Sequence, residues 1–252
     1  MKTLTTRALA LAGALAISLG ATACSKSDAP ATGSSSSTGA TPGTTPTATS
    51  QDTRAPKPAD LLQDAKANAL AATSAAFVGE ITQNGELMKI DFKGTSDGKT
   101  ADISLQMSSI GKVHLISVPG SLYMQGDASF WKAQGAPASV QKAGDKFVKA
   151  PADAAAMADS LSLRSFLKEA FGAITPQQLS DTVGEESVNG VPCWVLTDRK
   201  GKAEGMLYVS KDRSEVVRFT GSKDSPGQLD FSRWNEDLGI TAPSASQILP
   251  IN

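Results

Sequence analysis

Histidine is nearly absent from this chain of 252 residues: His114 is the only one. That excludes a metal site built from several histidines. Its setting, Val113-His-Leu-Ile-Ser117, reads as a strand histidine rather than a catalytic one. Cysteine is almost as scarce, with Cys24 and Cys193 the only two. An excess of one charge is missing too. Lysine and arginine number 24 against 25 acidic residues, a net charge of −1, so there is no basic field to hold nucleic acid. No Gly-x-Ser-x-Gly nucleophile elbow occurs. Ser109-Ile-Gly-Lys112 and Ser165-Phe-Leu-Lys168 both match Ser-x-x-Lys, but the companion Lys-Thr-Gly is lacking, and a pattern this short matches by chance. Lys93-Gly-Thr95 and Ser96-Asp-Gly98 are scrambled echoes only. Glu185-Glu186 falls in a turn-like, solvated stretch and makes no paired-carboxylate site. No residue is assigned to catalysis, metal binding or a cofactor, and the chain does not read as an enzyme.

Long apolar runs are also lacking. The longest, Ala8 to Leu19, is shorter than the roughly 20 residues a helix needs to cross a hydrocarbon core of about 30 Å. It has the length of the apolar region of a secretory signal, and Lys2 and Arg7 supply the basic start. The run ends at Gly20-Ala21-Thr22-Ala23-Cys24, small residues before a cysteine, which resembles the bacterial lipobox. Ala21 stands where leucine is usual. That resemblance implies that Cys24 takes a lipid thioether and becomes the new N-terminus. The alternative is an ordinary signal peptide cut after Ala23. With Cys24 acylated, Cys193 is alone and no disulfide forms in the mature domain. In Pro192-Cys-Trp-Val-Leu-Thr197 it reads as a small buried hydrophobe.

From Ser25 to Ala59 there is no aromatic residue, valine, isoleucine or leucine. Such a segment cannot bury enough apolar surface to offset its chain entropy. It reads as a tether, a coil spanning on the order of 30–35 Å. The organisation expected is a signal peptide over 1–23, a lipidated cysteine and Ser/Thr/Pro/Gly/Ala-rich linker over 24–57, and one domain over 58–252. About 190 residues suffice for a real core.

Within that domain the pattern predicts a helix, a β-meander, helices, and a second β-meander. Leu61 to Ala72 is helical, with Asp60 as its N-cap. Ala75 to Gln83 leads into Asn84-Gly85, a type I′ hairpin signal. Met88, Ile90 and Phe92 alternate with Lys89, Asp91 and Lys93; Asp97-Gly98 is the next turn. Ile103, Leu105 and Met107 alternate with Asp102, Ser104 and Gln106, and Val113 to Val118 and Ser121 to Gln125 follow. Pro151 to Phe171 is a helical stretch in which Leu163, Phe166, Leu167 and Ala170 share one face, and Gly172 stops it. Strands then return over Thr182–Val188, Val191–Thr197, Met206–Ser210, Glu215–Thr220 and Gln228–Phe231, with a turn at Asn189-Gly190.

Several segments together resemble the actinobacterial LppX/LprG-like lipoproteins: Phe77 to Gly85; Leu122-Tyr-Met-Gln-Gly-Asp-Ala-Ser-Phe-Trp131; Val188-Asn-Gly-Val-Pro192; Gly205-Met-Leu-Tyr-Val209; and Leu229-Asp-Phe-Ser-Arg-Trp234. Their order and spacing, over roughly residues 60 to 240, carry the resemblance. It implies the LolA/LolB-like fold, of class α+β: a single strongly curved antiparallel sheet, a half-open barrel, with helices covering the concave face around an apolar cavity. It also implies an acylated lipid or lipoglycan as ligand, carried across the cell envelope.

Physics makes such carriage reasonable, because exposing an acyl chain of about 16 carbons to water costs roughly 13 kcal/mol. The residues expected to line the cavity are Ile81, Met88, Ile90, Phe92, Ile103, Leu105 and Met107 from the first meander, and Leu163, Phe166, Leu167 and Phe171 from the helical roof. The same face could equally pack as a solid core, since period shows which face is apolar and not whether the space behind it is empty. Partners expected are the lipid ligand, the cytoplasmic membrane through the acyl anchor on its extracytoplasmic side, and a membrane transporter, with the protein a monomer. The other reading is an accessory or signalling lipoprotein that binds a protein or envelope polymer without carrying lipid.

Overall fold

A computed structural model describes residues 55–83, 85–150 and 161–250. The signal segment, Cys24, the linker as far as Arg54, and the first ten residues of the helical stretch expected from Pro151 lie outside the described residues.

Helix α1 (Pro58–Ala71) opens on a proline, whose fixed φ suits the first turn and whose missing N–H has no helical partner to lose. This sets the N-cap at Lys57 and places Asp60 inside the first turn. The sequence put Asp60 at the cap; its carboxylate instead lies where the helix dipole favours it. Leu61, Leu62, Ala65 and Ala69 form the buried face.

The strands are β1 (Ser74–Gln83), β2 (Glu86–Thr95), β3 (Ala101–Met107), β4 (Gly111–Val118) and β5 (Ser121–Gly126). After the short helices α2 (Ala128–Ala133) and α3 (Ala138–Gln141) comes β6 (Val148–Lys149), then α4 (Leu163–Gly172). The second meander is β7 (Gly184–Val188), β8 (Val191–Asp198), β9 (Gly201–Ser210), β10 (Val216–Ser222) and β11 (Ser225–Ser232). Together the described strands make one eleven-stranded sheet in the order β6-β5-β4-β3-β2-β1-β11-β10-β9-β8-β7. Neighbours are antiparallel, and β6 and β7 are left as edges, so the sheet curves without closing.

Each meander is local, held by tight turns. Asn189 and Gly190 adopt φ of 52° and 81°, the pair of positive values a type I′ turn requires. The two meanders join along β1 and β11, where Phe77 faces Phe231 and Gly79 faces Leu229. A β-carbon at Gly79 would lie 1.9 Å from the Gln228 carbonyl oxygen, so only glycine allows the two meanders to approach this closely.

Helix α4 is capped by Ser162, whose hydroxyl accepts from the Ser165 N–H at 3.1 Å. Of the face the spacing predicts, Leu163, Leu167 and Ala170 are buried and Phe166 is half-buried; Phe171 is buried as well, and Gly172 is the last helical residue rather than a residue beyond the end. On the concave face a ladder of rings forms the centre of the core. Phe77 stacks on Phe92 with centroids 4.6 Å apart and lies 4.9 Å from Phe231, and Phe231 stacks on Trp234.

The outer face carries two small apolar clusters. One joins Val188, Cys193, Val195, Tyr208 and Val217. In it the Cys193 thiol is fully buried and donates to the Val191 carbonyl, and burial pushes its pKa up. The other joins Ile116, Tyr123 and Phe147 under Ile240 and Ile248 of the C-terminal segment. That segment is bonded as a short parallel bridge: the Phe147 N–H donates to Gln247, and the Leu249 N–H donates to Phe147, each at 2.8 Å. Sequence pattern did not anticipate this strap.

Candidate functional site

Across β2, β3 and β4 the concave face is ordered in rows by the register. Phe92, Ile103 and Leu115 form one row, Ile90, Leu105 and Val113 the next, and Met88 and Met107 the last. The first row is sealed, each residue at 4% exposure. In the second, Val113 is buried but Ile90 and Leu105 are only half-buried, and in the last Met88 and Met107 are half-buried. Ile81, which pairs with Met88 across β1 and β2, completes this apolar end. The concave face thus has a closed end and an open end.

Helix α4 lies over the middle of this gradient. Phe166, half-buried, stacks on Phe77 at 4.5 Å and lies 6.3 Å from Phe231. Beside it Ile81, Phe166, Ala170, Phe219 and Leu229 line a crevice of about 50 Å³ that runs down to the backbone of Gly221 and Gly227. Ligand pockets for small molecules span about 300–1,000 Å³, so this crevice admits a few waters' worth of volume and no acyl chain without movement.

The sequence-derived lining therefore divides in two. Phe92, Ile103, Leu163, Leu167 and Phe171 are packed core with almost no free surface. Ile81, Met88, Ile90, Leu105 and Met107 keep free surface at the open end, and Phe166 stays half-buried over the ring of Phe77. Phe77, Phe219, Phe231 and Leu229 were missed, although Phe77 stands four residues from Ile81 on the same strand face, and Phe219, Leu229 and Phe231 obey the same alternation.

The tips of the two hairpins at the open end are tied together. Glu86 at the start of β2 accepts from both the backbone N–H and the hydroxyl of Ser109, the latter at 2.6 Å. These bonds hold the exposed Glu86 carboxyl below its usual pKa. This accounts for Ser109 of the first Ser-x-x-Lys match structurally. Glu185 and Glu186 lie on strand β7, not in a turn, and stay exposed, each at 2.5 Å from a lysine, Lys211 and Lys202. His114 lies on the outer face, where its Nε2 is 2.6 Å from Asp102 Oδ1. That bond is the main cause holding the Asp102 carboxyl below its usual pKa, against an opposing desolvation. Among the described residues no three acidic, histidine or cysteine groups are placed to hold a metal ion, and no helix is long and apolar enough to cross a membrane.

No family model and no curated protein matches the chain. Solved structures do. LprF from Mycobacterium bovis is similar at 13% identity, with a TM-score of 0.48, over 75% of this chain and 97% of that one. The lipoprotein LppX of Mycobacterium tuberculosis is similar at 13% identity, with a TM-score of 0.45, over 73% and 98%. A LolA superfamily protein from Nitrosomonas europaea is similar at 10% identity, with a TM-score of 0.22, over 73% and 94%.

Proposed function

We propose that this protein is a lipid-anchored, extracytoplasmic lipoprotein that takes an acyl chain into the open end of its concave face and helps move an acylated lipid or lipoglycan across the cell envelope. The observation that carries the proposal is the burial gradient along the cross-strand rows. Ile81, Met88, Ile90, Leu105 and Met107 are large apolar residues on the inward face of a sheet, yet they stay partly open to solvent. Neighbouring positions nearer the closed end, Phe92 and Ile103, are sealed. Leaving such surface wet forgoes about 25 cal/mol per Å², and an acyl chain laid along it recovers that energy. Phe166, half-buried and stacked on Phe77, is the roof residue that would have to turn aside for a chain to pass beneath. Cys24 would hold the domain to the cytoplasmic membrane through its acyl chains, and a membrane transporter is the partner such a carrier would serve.

The narrowness of the crevice favours a second reading, an accessory lipoprotein that binds a protein or an envelope polymer and extracts no lipid. Two measurements separate them. Native mass spectrometry of the protein purified from a lipid-making host should show a co-purifying acyl lipid, and a fluorescent fatty-acid probe should bind with micromolar or better affinity. A clean apo mass together with no probe binding would leave only the accessory reading.

A further inference from the structure

Trp131 is 6% exposed, yet its indole N–H meets no acceptor among the described residues. Buried indoles ordinarily find one, because a donor stripped of water and left unpaired carries its whole desolvation penalty. Trp234 shows the ordinary case, its Nε1 donating to the Val216 carbonyl at 2.9 Å. No other buried side-chain nitrogen or oxygen among the described residues is left unpartnered. The orphan donor is therefore a feature of this one place and not of the core in general.

The fold sets this donor at the open end of the concave face. Trp131 belongs to the concave core cluster, against which Ile90 and Leu105 pack. Its helix, α2, starts at Asp127, whose carboxylate accepts from the N–H groups of Lys112 at 2.9 Å and Phe130 at 2.8 Å. Lys112 faces Gln106 on β3, between Leu105 and Met107, so the helix begins level with the half-open rows. It also lies close on the sheet. A β-carbon at Gly126, which faces Val113 of the second row, would fall 2.2 Å from the Phe130 ring. That ring meets Trp131 edge-on, with centroids 5.0 Å apart.

Chemistry narrows the acceptor. A buried water needs two to four polar partners, and no second unpartnered side chain is buried among the described residues to help hold it. A charged oxygen would lose hydration that one neutral N–H does not replace. A hydroxyl would bring a donor of its own, which then needs an acceptor. A neutral carbonyl brings acceptor lone pairs alone. Given the acyl-binding reading of the concave face, on which this rests, we infer that Trp131 is a specificity residue: its indole N–H donates to the neutral carbonyl that joins an acyl chain to its headgroup. The chain then lies along Ile90 and Leu105, and the site prefers ester-linked chains to ether-linked ones.

The test uses the full chain carrying isotope-labelled tryptophan and two ligands alike in headgroup and chain length, monolauroylglycerol and its dodecyl ether counterpart, each below its micellar concentration. The ester should bind about fivefold tighter or more, the margin a single neutral hydrogen bond supplies at a buried donor. By NMR the Trp131 indole proton should move downfield with the ester, toward the position of the bonded Trp234 indole, and less with the ether. Trp131→Phe, which keeps an aromatic ring and removes the donor, should abolish the preference while leaving ether affinity within about twofold of wild type. Equal affinities with an unmoved indole resonance would mean that the indole is bonded to water alone, and would overturn the inference while the acyl-binding reading stands. Equal weakening of both ligands in a folded Trp131→Phe would reduce the ring to packing, with the same consequence. If that variant fails to fold, the wild-type ratio and resonance decide alone. Binding of neither ligand by the wild type would overturn this inference and the acyl-binding reading together.

Discussion

The ring of Phe166 on α4 stacks 4.5 Å above the ring of Phe77 on β1, with 24° between their planes, so one roof residue closes the concave face over the ring ladder. Phe166→Ala should open the space it fills. Because Phe166 is half-buried, the loss of stability should be about 2–3 kcal/mol, below the cost of about 3–5 kcal/mol for deleting a fully buried ring. Fatty-acid probe affinity should rise several-fold if the proposed acyl path lies beneath. Urea denaturation and probe titration measure the two effects; a stability loss without any gain in probe binding would make Phe166 ordinary core.

Ile90→Trp and Leu105→Trp place an added ring in a row that is already half-open. Both variants should lose less than about 1 kcal/mol and should bind the probe more weakly. Ile103→Trp, one row toward the closed end, should cost roughly 1–3 kcal/mol or more, because its site is sealed. Equal damage at all three positions would show that the face is uniformly packed.

Gly79→Ala tests the seam between the two meanders. The new methyl would sit 1.9 Å from the Gln228 carbonyl oxygen, an overlap only backbone movement can relieve. We expect a loss of about 2–4 kcal/mol in equilibrium unfolding. Gly190→Asn, at a turn with open space around it, is the control and should cost less than about 1 kcal/mol, since asparagine tolerates positive φ.

Asp102 gives a pH signature. Its folded pKa is depressed, chiefly by the His114 hydrogen bond, so the folded state favours the carboxylate. The stabilisation is therefore present above the ordinary carboxylate pKa of about 3.9 and is lost as pH falls through the lower folded value. Wild type should exceed Asp102→Asn by about 1 kcal/mol near neutrality, and the gap should close below about pH 4. A gap that persists to the acid limit would mean that the ionised carboxyl is not what stabilises.

Cys24→Ala tests the anchor. Without the thiol there is no site for the lipid thioether, so the protein should appear in the medium or remain as uncleaved precursor. Cell fractionation with a domain-specific antibody reads this directly. A cleaved form still sedimenting with membranes would remove the anchor from the proposal.

Much of the architecture was legible locally. The alternation of Met88, Ile90 and Phe92 with Lys89, Asp91 and Lys93 identified the inward face of β2 because strand side chains have a period of two. Asn189-Gly190 announced its turn because few residues accept two positive φ values in succession. Less visible were features made by residues distant in the chain. Phe77 meets Phe231 across β1 and β11, and no spacing rule brings those two strands together. The C-terminal strap over Ile116 and Phe147 follows no periodicity at all, since it is irregular chain held by two backbone bonds and a few side chains.

What the sequence determined by itself was the alphabet of elements: where strands alternate, where turns fall, which helix face is apolar, and that no histidine cluster or basic field exists. Each of these depends on neighbours within a few residues, through side-chain period, φ preference and charge. Tertiary structure alone decided that the two meanders join at Gly79, and that Phe92 and Ile103 are sealed while Ile90 and Leu105 stay half-open. It alone decided that Phe166 lies over Phe77, and that the buried Trp131 indole meets no acceptor among the described residues. Those outcomes depend on how much volume distant side chains fill around a curved sheet, and volume is a property of the packed ensemble of residues rather than of any stretch of chain.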